Sequence, residues 1–261
     1  MLARETFIAA PFGNYIKNPE AISVTGTWTL HARGSRFRSI VKTLRYNRKE
    51  KGWVNQLGLP NPGLRVGLKK TWPNQVLSIA ETSEDEFLIM EDMIPNTMNV
   101  ELNLSCPNLP DSTIPNLIDN DSPMIFTAQS MNISHPPRPI VVNHTIMDSL
   151  HISRKWCIAK VSPLITEDEL HHVVDKLNFR QIHLANTIPT DKGGLSGPAL
   201  KPYVLQLIDY VRGMWGDRMT IIAGGGIKTE DDVTEYMDAG ADHISLGTVC
   251  FNPFKLRKLL R

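Results

Sequence analysis

The sequence predicts an α/β fold: a (β/α)8 TIM barrel built as one domain over residues 1–261, with a shortened first βα unit and a long irregular insert after the fourth strand. Three observations carry that reading. Short runs rich in aliphatic and β-branched residues recur near Tyr15, Val24, Leu77, Leu102, Ala159, Leu184, Ile222 and Leu246. Most of those in the second half are followed by a helical run, and such crossovers imply parallel strands with right-handed connections. Polar residues and glycines gather at the later strand ends, which favours one central mouth over an open doubly wound sheet.

Bulk properties narrow the partners. A formal net charge of +1 gives no reason to expect nucleic acid or an anionic membrane surface. No apolar run approaches the roughly 18 residues of a membrane span. Met1 to Ile8 carries Arg4 and Glu5 and no apolar stretch, so it does not read as a signal peptide. Cys106, Cys157 and Cys250 include no close-spaced pair, so neither a disulfide framework nor a metal site is expected. A reducing, cytoplasmic setting fits that cysteine usage.

Taken in order, Thr6 to Ile16 reads as a strand or hairpin broken at Pro11 and Gly13, and Ala21 to Leu30 as a second strand. Only residues 17–20 separate them, too few for an ordinary crossover helix. Residues 31–51 hold most of the local basic charge, either a solvated loop or a wall that attracts an anion. Gly52 to Gly63 is too rich in glycine, proline and asparagine for a helix, and suits a loop folded over a ligand. Asn55 is its notable polar residue, with tying down its own loop as the plainer role. Val76 to Ala80 is a strand. Ser83 and Glu86 form a capping box for a helix with Phe87, Leu88, Met90 and Met93 as apolar positions.

The alternating run Met98 to Leu102 then delivers Asn103-Leu104-Ser105-Cys106-Pro107-Asn108, where a strand ends because Pro107 has no N–H to give. One thiol and two carboxamides meet at the edge of a barrel where chemistry is done. A buried free cysteine beside turn-forming asparagines is the plainer account. Residues 109–143 are broken by prolines and read as a lid or a disordered insert, with a short helix following over 145–153.

The second half is more regular. Trp156 to Pro163 is a strand with Lys160 and Ser162 at its far end. Thr166 and Glu169 form a capping box, and Leu170, Val173, Val174 and Leu177 share one helix face. Arg180 to Ala185 is a strand ending in Asn186-Thr187. A glycine-rich loop, Gly193-Gly194-Leu195-Ser196-Gly197, precedes a long helix opened by Pro198. Met219 to Ala223 runs into Gly224-Gly225-Gly226, and His243 to Leu246 runs into Gly247-Thr248. Phe251 to Leu260 is a basic amphipathic segment that closes the barrel.

Glycine turns after the last two strands expose backbone N–H groups and suit a phosphate, which barrels commonly hold there. Neither run is a G-x-G-x-x-G dinucleotide fingerprint, so the mononucleotide FMN fits better than NAD. Lys160 then suits the N1/O2 edge of a flavin, where a cation stabilises the reduced ring. A lysine reaching out to solvent is the alternative.

The motifs Asn103 to Asn108, Lys160-Val-Ser-Pro, Asn186-Thr187 with Gly193 to Gly197, Gly224-Gly-Gly-Ile and Gly247-Thr248 come in an order and spacing that resemble the dihydroorotate dehydrogenases. The likeness is greatest to the soluble class whose base is cysteine. The Asn55 loop resembles that family's substrate loop. The resemblance implies oxidation of dihydroorotate to orotate, with Cys106 taking the C5 proton while C6 gives hydride to flavin N5. Catalytic roles then fall to Cys106 and Lys160. Asn55, Asn103, Asn108, Asn186 and Thr187 would bind the substrate. Lys160, Gly197, Gly225, Gly226, Gly247 and Thr248 would bind FMN. A homodimer is expected from the family alone, and the motifs name no electron acceptor. Gly26 stands where the family usually has a lysine that touches flavin and substrate. Lys42 is the nearest substitute, and Tyr15 replaces a small residue. These departures motivate two alternatives: an FMN enzyme for another cyclic or unsaturated substrate, or a non-catalytic barrel that binds a phosphorylated ligand.

Overall fold

The computed structural model describes residues 3–34, 36–80, 84–105 and 154–261. Cys106, Asn108, the irregular stretch 109–143 and the helix expected over 145–153 lie outside the described residues, as does Ser83 of the expected capping box.

Eight strands close into a barrel in which every neighbouring pair is parallel. They are β1 (Thr6–Ile8), β2 (Ile22–Trp28), β5 (Val76–Ile79), β6 (Asn99–Asn103), β7 (Cys157–Val161), β8 (Gln181–Leu184), β11 (Thr220–Gly224) and β12 (His243–Leu246). Closure is made by β1, which pairs with β12 on one side and β2 on the other. The first strand is therefore Thr6–Ile8, and not a run centred near Tyr15. Pro11 cannot donate to a ladder, Phe12–Asn14 coil into a 3-10 turn, and Tyr15 is 69% exposed. That single turn is the whole of the shortened first crossover.

Outside the barrel a second sheet is antiparallel, in the order β3 (Arg45–Asn47), β4 (Gly52–Asn55), β10 (Gly193–Ser196) and β9 (Ile188–Thr190). The start of the Gly52–Gly63 segment and most of the glycine-rich 193–197 segment are thus strands where loops were expected. Their glycines are what permits the pairing. A Cβ on Gly52 would sit 2.5 Å from the Ser196 carbonyl oxygen, and one on Gly193 2.2 Å from that of Asn55. Tertiary pairing overrides the low strand propensity of glycine here.

The described helices are α1 (Arg36–Thr43), α2 (Leu64–Lys70), α3 (Glu84–Met93), α4 (Glu167–His171), α5 (Lys201–Trp215), α6 (Glu230–Asp238) and α7 (Pro253–Leu259). On α3 the buried stripe is Phe87, Met90 and then Ile94 just beyond its end, a 3.6-residue repeat that leaves Leu88 46% exposed rather than in the core. Helix α4 starts at the expected capping box: Thr166 Oγ1 accepts from Glu169 N, and the Glu169 carboxylate accepts from Thr166 N. It continues as a π-helical turn over His172–Lys176. Leu170, Val173, Val174 and Leu177 are all fully buried. No helix among the described residues is long and apolar enough to cross a membrane.

Two hydrophobic clusters result. The larger fills the space between strands and helices. The smaller comprises Phe7, Val24, Val76, Trp156, Ile158 and Ile222 inside the barrel. Two residues further along, β5 and β7 present Ser78 and Lys160, so the apolar plug supports polar groups just below the mouth.

Candidate active site

A cavity of about 340 Å³ opens at the C-terminal mouth of the barrel. Each polar group in it arrives by strand periodicity. Along β7, Ile158 points into the plug, so Lys160 two residues on also points inward, at the mouth. Lys160 stands beside Asn103 of β6 and His183 of β8 in the parallel register. It is 6% exposed and lines the cavity. Among the described residues its ammonium makes no hydrogen bond and no ion pair within 4 Å, so its donors are left to the cavity. A buried cation left in that state favours an anionic or electron-rich ligand.

The carboxamides form one chain. Asn103 donates to Thr27 Oγ1 (3.1 Å), and its Oδ1 accepts from Asn186 Nδ2 (2.7 Å). Asn186 also donates to the Ser105 carbonyl (3.1 Å) and accepts from Thr187 N (3.1 Å). Asn186 and Thr187 line the cavity, with Asn103 buried beside them. Asn55 reaches the same cavity from β4. Its side chain also donates to the Gly194 carbonyl (3.4 Å) and accepts from Leu57 N (3.2 Å), so it ties down its own loop as well.

Gly197, Gly225, Gly226, Gly247 and Thr248 meet on one wall. Gly225 and Gly226 have φ of +110° and +80°, which L side chains rarely adopt. A Cβ on Gly226 would lie 2.7 Å from Pro198 Cα, and one on Gly225 2.9 Å from Leu200 Cβ. The turn is therefore packed against the segment leading into α5 as bare backbone. A Cβ on Gly247 would meet nothing within 4 Å, so that backbone stands open. Ser245, two residues before Gly247, lines the cavity, and its buried Oγ has no hydrogen-bond partner among the described residues. Bare glycine backbone, an unpartnered hydroxyl and a free ammonium suit a phosphorylated, ring-bearing ligand such as FMN.

Of the expected site residues, nine line this cavity and Asn103 joins them through Asn186. Cys106 and Asn108 lie outside the described residues. Lys42 does not serve as the substitute lysine: it is exposed on α1 and does not line the cavity, whereas Ile40 of that helix and Leu44 just after it do. What this segment gives the cavity at Ile40 and Leu44 is thus apolar. Gly26 is built for having no side chain. Its φ is +109°, Asn14 holds both its N–H (3.0 Å) and its carbonyl (2.9 Å), and a Cβ would lie 2.4 Å from the Ser78 carbonyl oxygen.

Sequence reasoning missed two groups of residues. Glu101 and His183 are 0% and 2% exposed inside the barrel, and His183 Nδ1 lies 2.7 Å from Glu101 Oε2. The signal was available: Glu101 alternates in phase with Asn103, so it had to point inward. Burial raises the Glu101 carboxyl, but the Lys160 charge and the hydrogen bonds from His183 and Ser78 outweigh it and hold it at about 2. Burial, then the Lys160 charge, push His183 below its usual value against the pull of Glu101. The second group is an aromatic wall in which the Phe251 ring lies 4.9 Å from both Phe12 and Trp53. Its members come from distant segments, and no local pattern joins them.

Comparison with known proteins points to one family. The family model described as dihydroorotate dehydrogenase matches residues 11–260. A Listeria monocytogenes protein named dihydroorotate dehydrogenase B (NAD(+)), catalytic subunit, is 31% identical over 220 residues, covering 80% of this chain and 70% of that one. The protein of the same name from Enterococcus faecalis is 28% identical over 261 residues, covering 95% and 82%. Among solved structures, the Eimeria tenella DHODH in complex with ferulenol superposes with a TM-score of 0.67 at 18% identity, over 98% of this chain and 79% of that one. At that identity the superposition speaks for the fold alone. The family match takes in every barrel strand except β1 and every cavity residue except Ala9 and Ala10, and on that extent the chain belongs to the dihydroorotate dehydrogenase family of flavin-linked oxidoreductases.

Proposed function

We propose that this protein binds FMN and oxidises dihydroorotate to orotate. The observation that carries the reading is the convergence of Lys160, Asn186-Thr187 and the glycine turns after β11 and β12 on one cavity. The backbones of Gly225, Gly226, Gly247 and Thr248 hold the phosphate, with Gly197 beside them. Lys160 sets its ammonium against the pyrimidine edge of the ring, where negative charge collects on reduction. When bound, FMN supplies the acceptor for the hydride leaving substrate C6.

The chain's own residues do the remaining work. Asn55, Asn103, Asn108, Asn186 and Thr187 orient the substrate ring and its carboxylate through amide and hydroxyl groups. Asn103 and Asn186 are already locked to each other at 2.7 Å, which presents them in fixed register. Cys106 follows Asn103 by three residues and is assigned the C5 proton on that placement in the motif. Loss of that proton and of the C6 hydride leaves the C5–C6 double bond of orotate. A cysteine near its reference pKa of about 8.5 is a serviceable base once water is excluded.

The test is a visible spectrum of the purified chain under anaerobic conditions, before and after dihydroorotate. A yellow protein that bleaches is the expected result, and a colourless one refutes the flavin reading. Cys106→Ser should slow the bleaching by at least about a hundredfold without releasing FMN. Unchanged bleaching would remove Cys106 from the mechanism. The shape of β2 at Gly26 favours a second reading, an FMN enzyme for a different cyclic or unsaturated substrate. A yellow protein left unbleached by dihydroorotate, but reduced by NAD(P)H and reoxidised by an alkene, would establish it.

A further inference from the structure

Lys160, His183 and Ser245 are buried polar groups that line the cavity, but Glu101 is sealed beneath it. It sits one inward layer below Lys160: Glu101 pairs in register with Ile158, and Asn103, two residues on, pairs with Lys160. His183 flanks Lys160 on the other side, in register with it on β8, and contacts the Glu101 carboxylate at 2.7 Å. An ionised carboxylate only accepts, so His183 Nδ1 carries the proton and donates it. A charge this deep persists only when it is compensated. Here the compensation is the hydrogen bond from the His183 imidazole, the Ser78 hydroxyl, and the ammonium of Lys160, which lies beyond ion-pair distance.

We propose that Glu101 and His183 are positioning residues for Lys160: they fix one negative charge in the barrel below its ammonium, and that charge limits how strongly the lysine stabilises an anionic ring in the cavity. The inference rests on the flavin reading above. The physical argument is additive electrostatics at low dielectric. A ring that gains negative charge on reduction is drawn to Lys160 and repelled by Glu101, and the balance sets its reduction potential. His183 holds the carboxylate oxygen in place and donates to it without adding charge. The pair is thus a built-in counterweight, placed where it reaches the ring only through space.

The decisive measurement is the midpoint potential of the bound flavin, taken by chemical reduction so that it does not depend on any substrate. Glu101→Gln keeps the shape and an acceptor for His183 while removing the charge. The expected result is a rise corresponding to at least about a tenfold shift of the two-electron equilibrium, about 30 mV. The affinity for oxidised FMN should change by less than that factor. An unchanged or lowered potential overturns the proposal. Should the variant not fold, the nitrogen resonances of His183 in the wild-type chain decide the matter. A neutral ring protonated at Nδ1 between pH 6 and 8 supports the pair, and a ring protonated at Nε2, or at both nitrogens, overturns it. The two readings fail separately. A chain that takes up no FMN refutes both, whereas a yellow chain with unmoved potential refutes only this inference, and one that dihydroorotate does not bleach refutes only the substrate.

Discussion

Glu101 and His183 make stability depend on pH in the same direction. The Glu101 carboxyl stands at about 2 in the folded chain, against an ordinary 4.5, because the Lys160 charge and the His183 contact outweigh burial. Its contribution is complete above about 4.5 and is lost as pH falls toward 2. His183 is lowered from 6.5 by burial first and by Lys160 second. The unfolded chain therefore takes up a proton on that imidazole before the folded chain does, and stability also declines as pH drops below about 6.5. Urea midpoints measured from pH 8 to pH 4 should fall on the acid side. His183→Asn should flatten the decline that begins near 6.5, and Glu101→Gln the part below about 4.5. A flat wild-type profile over that range would contradict the downward shifts of both groups. These two residues also show how a site can be half legible. Asn103 and Lys160 sit in motifs that announce a mouth, whereas Glu101 and His183 are ordinary residues in their strands. Only the closed barrel makes them face each other.

At the scale of elements, the outer sheet is the part that local sequence hid. Asn55 and Gly194 are 139 residues apart in the chain and lie in adjacent antiparallel strands. Glycine-rich segments have poor strand propensity alone, and the pairing depends on bare backbone at Gly52 and Gly193. Gly193→Ala should break it, because φ is +110° and the new methyl would lie 2.2 Å from the Asn55 carbonyl. The expected loss is about 1–3 kcal/mol of stability together with weaker flavin retention, since Asn55 and Trp53 of β4 line the cavity. Denaturation and flavin fluorescence of the same sample would report both. The contrast is Thr166→Ala at the α4 cap. It should cost about 1 kcal/mol and leave flavin retention alone, because Thr166 does not line the cavity. That helix was legible for the reason the sheet was not: its cap and its apolar stripe lie within a dozen residues. The same holds for the βα units around β11 and β12. The N-terminal third was the hardest to read, since its first crossover is one 3-10 turn and its first strand has three residues.

For the whole molecule, the barrel is a ring whose seam joins the two ends of the chain. Glu5 N donates to His243 Nδ1 across 238 residues of sequence, and β1 pairs with β12 immediately beyond. At about 5–20 residues per second, synthesis leaves on the order of 10–50 s between the making of the two partners. Throughout that interval one edge of β1 has no neighbour, and exposed strand edges recruit other chains. Ribosome-bound chains halted after residue 242 should therefore be cut readily within the first 30 residues, and chains extended by a linker beyond residue 261 should resist. Equal sensitivity would mean that the seam forms without its last strand. The flavin pocket is drawn from both sides of that seam, with Ala9 and Phe12 on one and Gly247 and Phe251 on the other. Cofactor capture accordingly waits until β12 and the turn after it have been made, and flavin supply at that stage bears on how many chains escape aggregation.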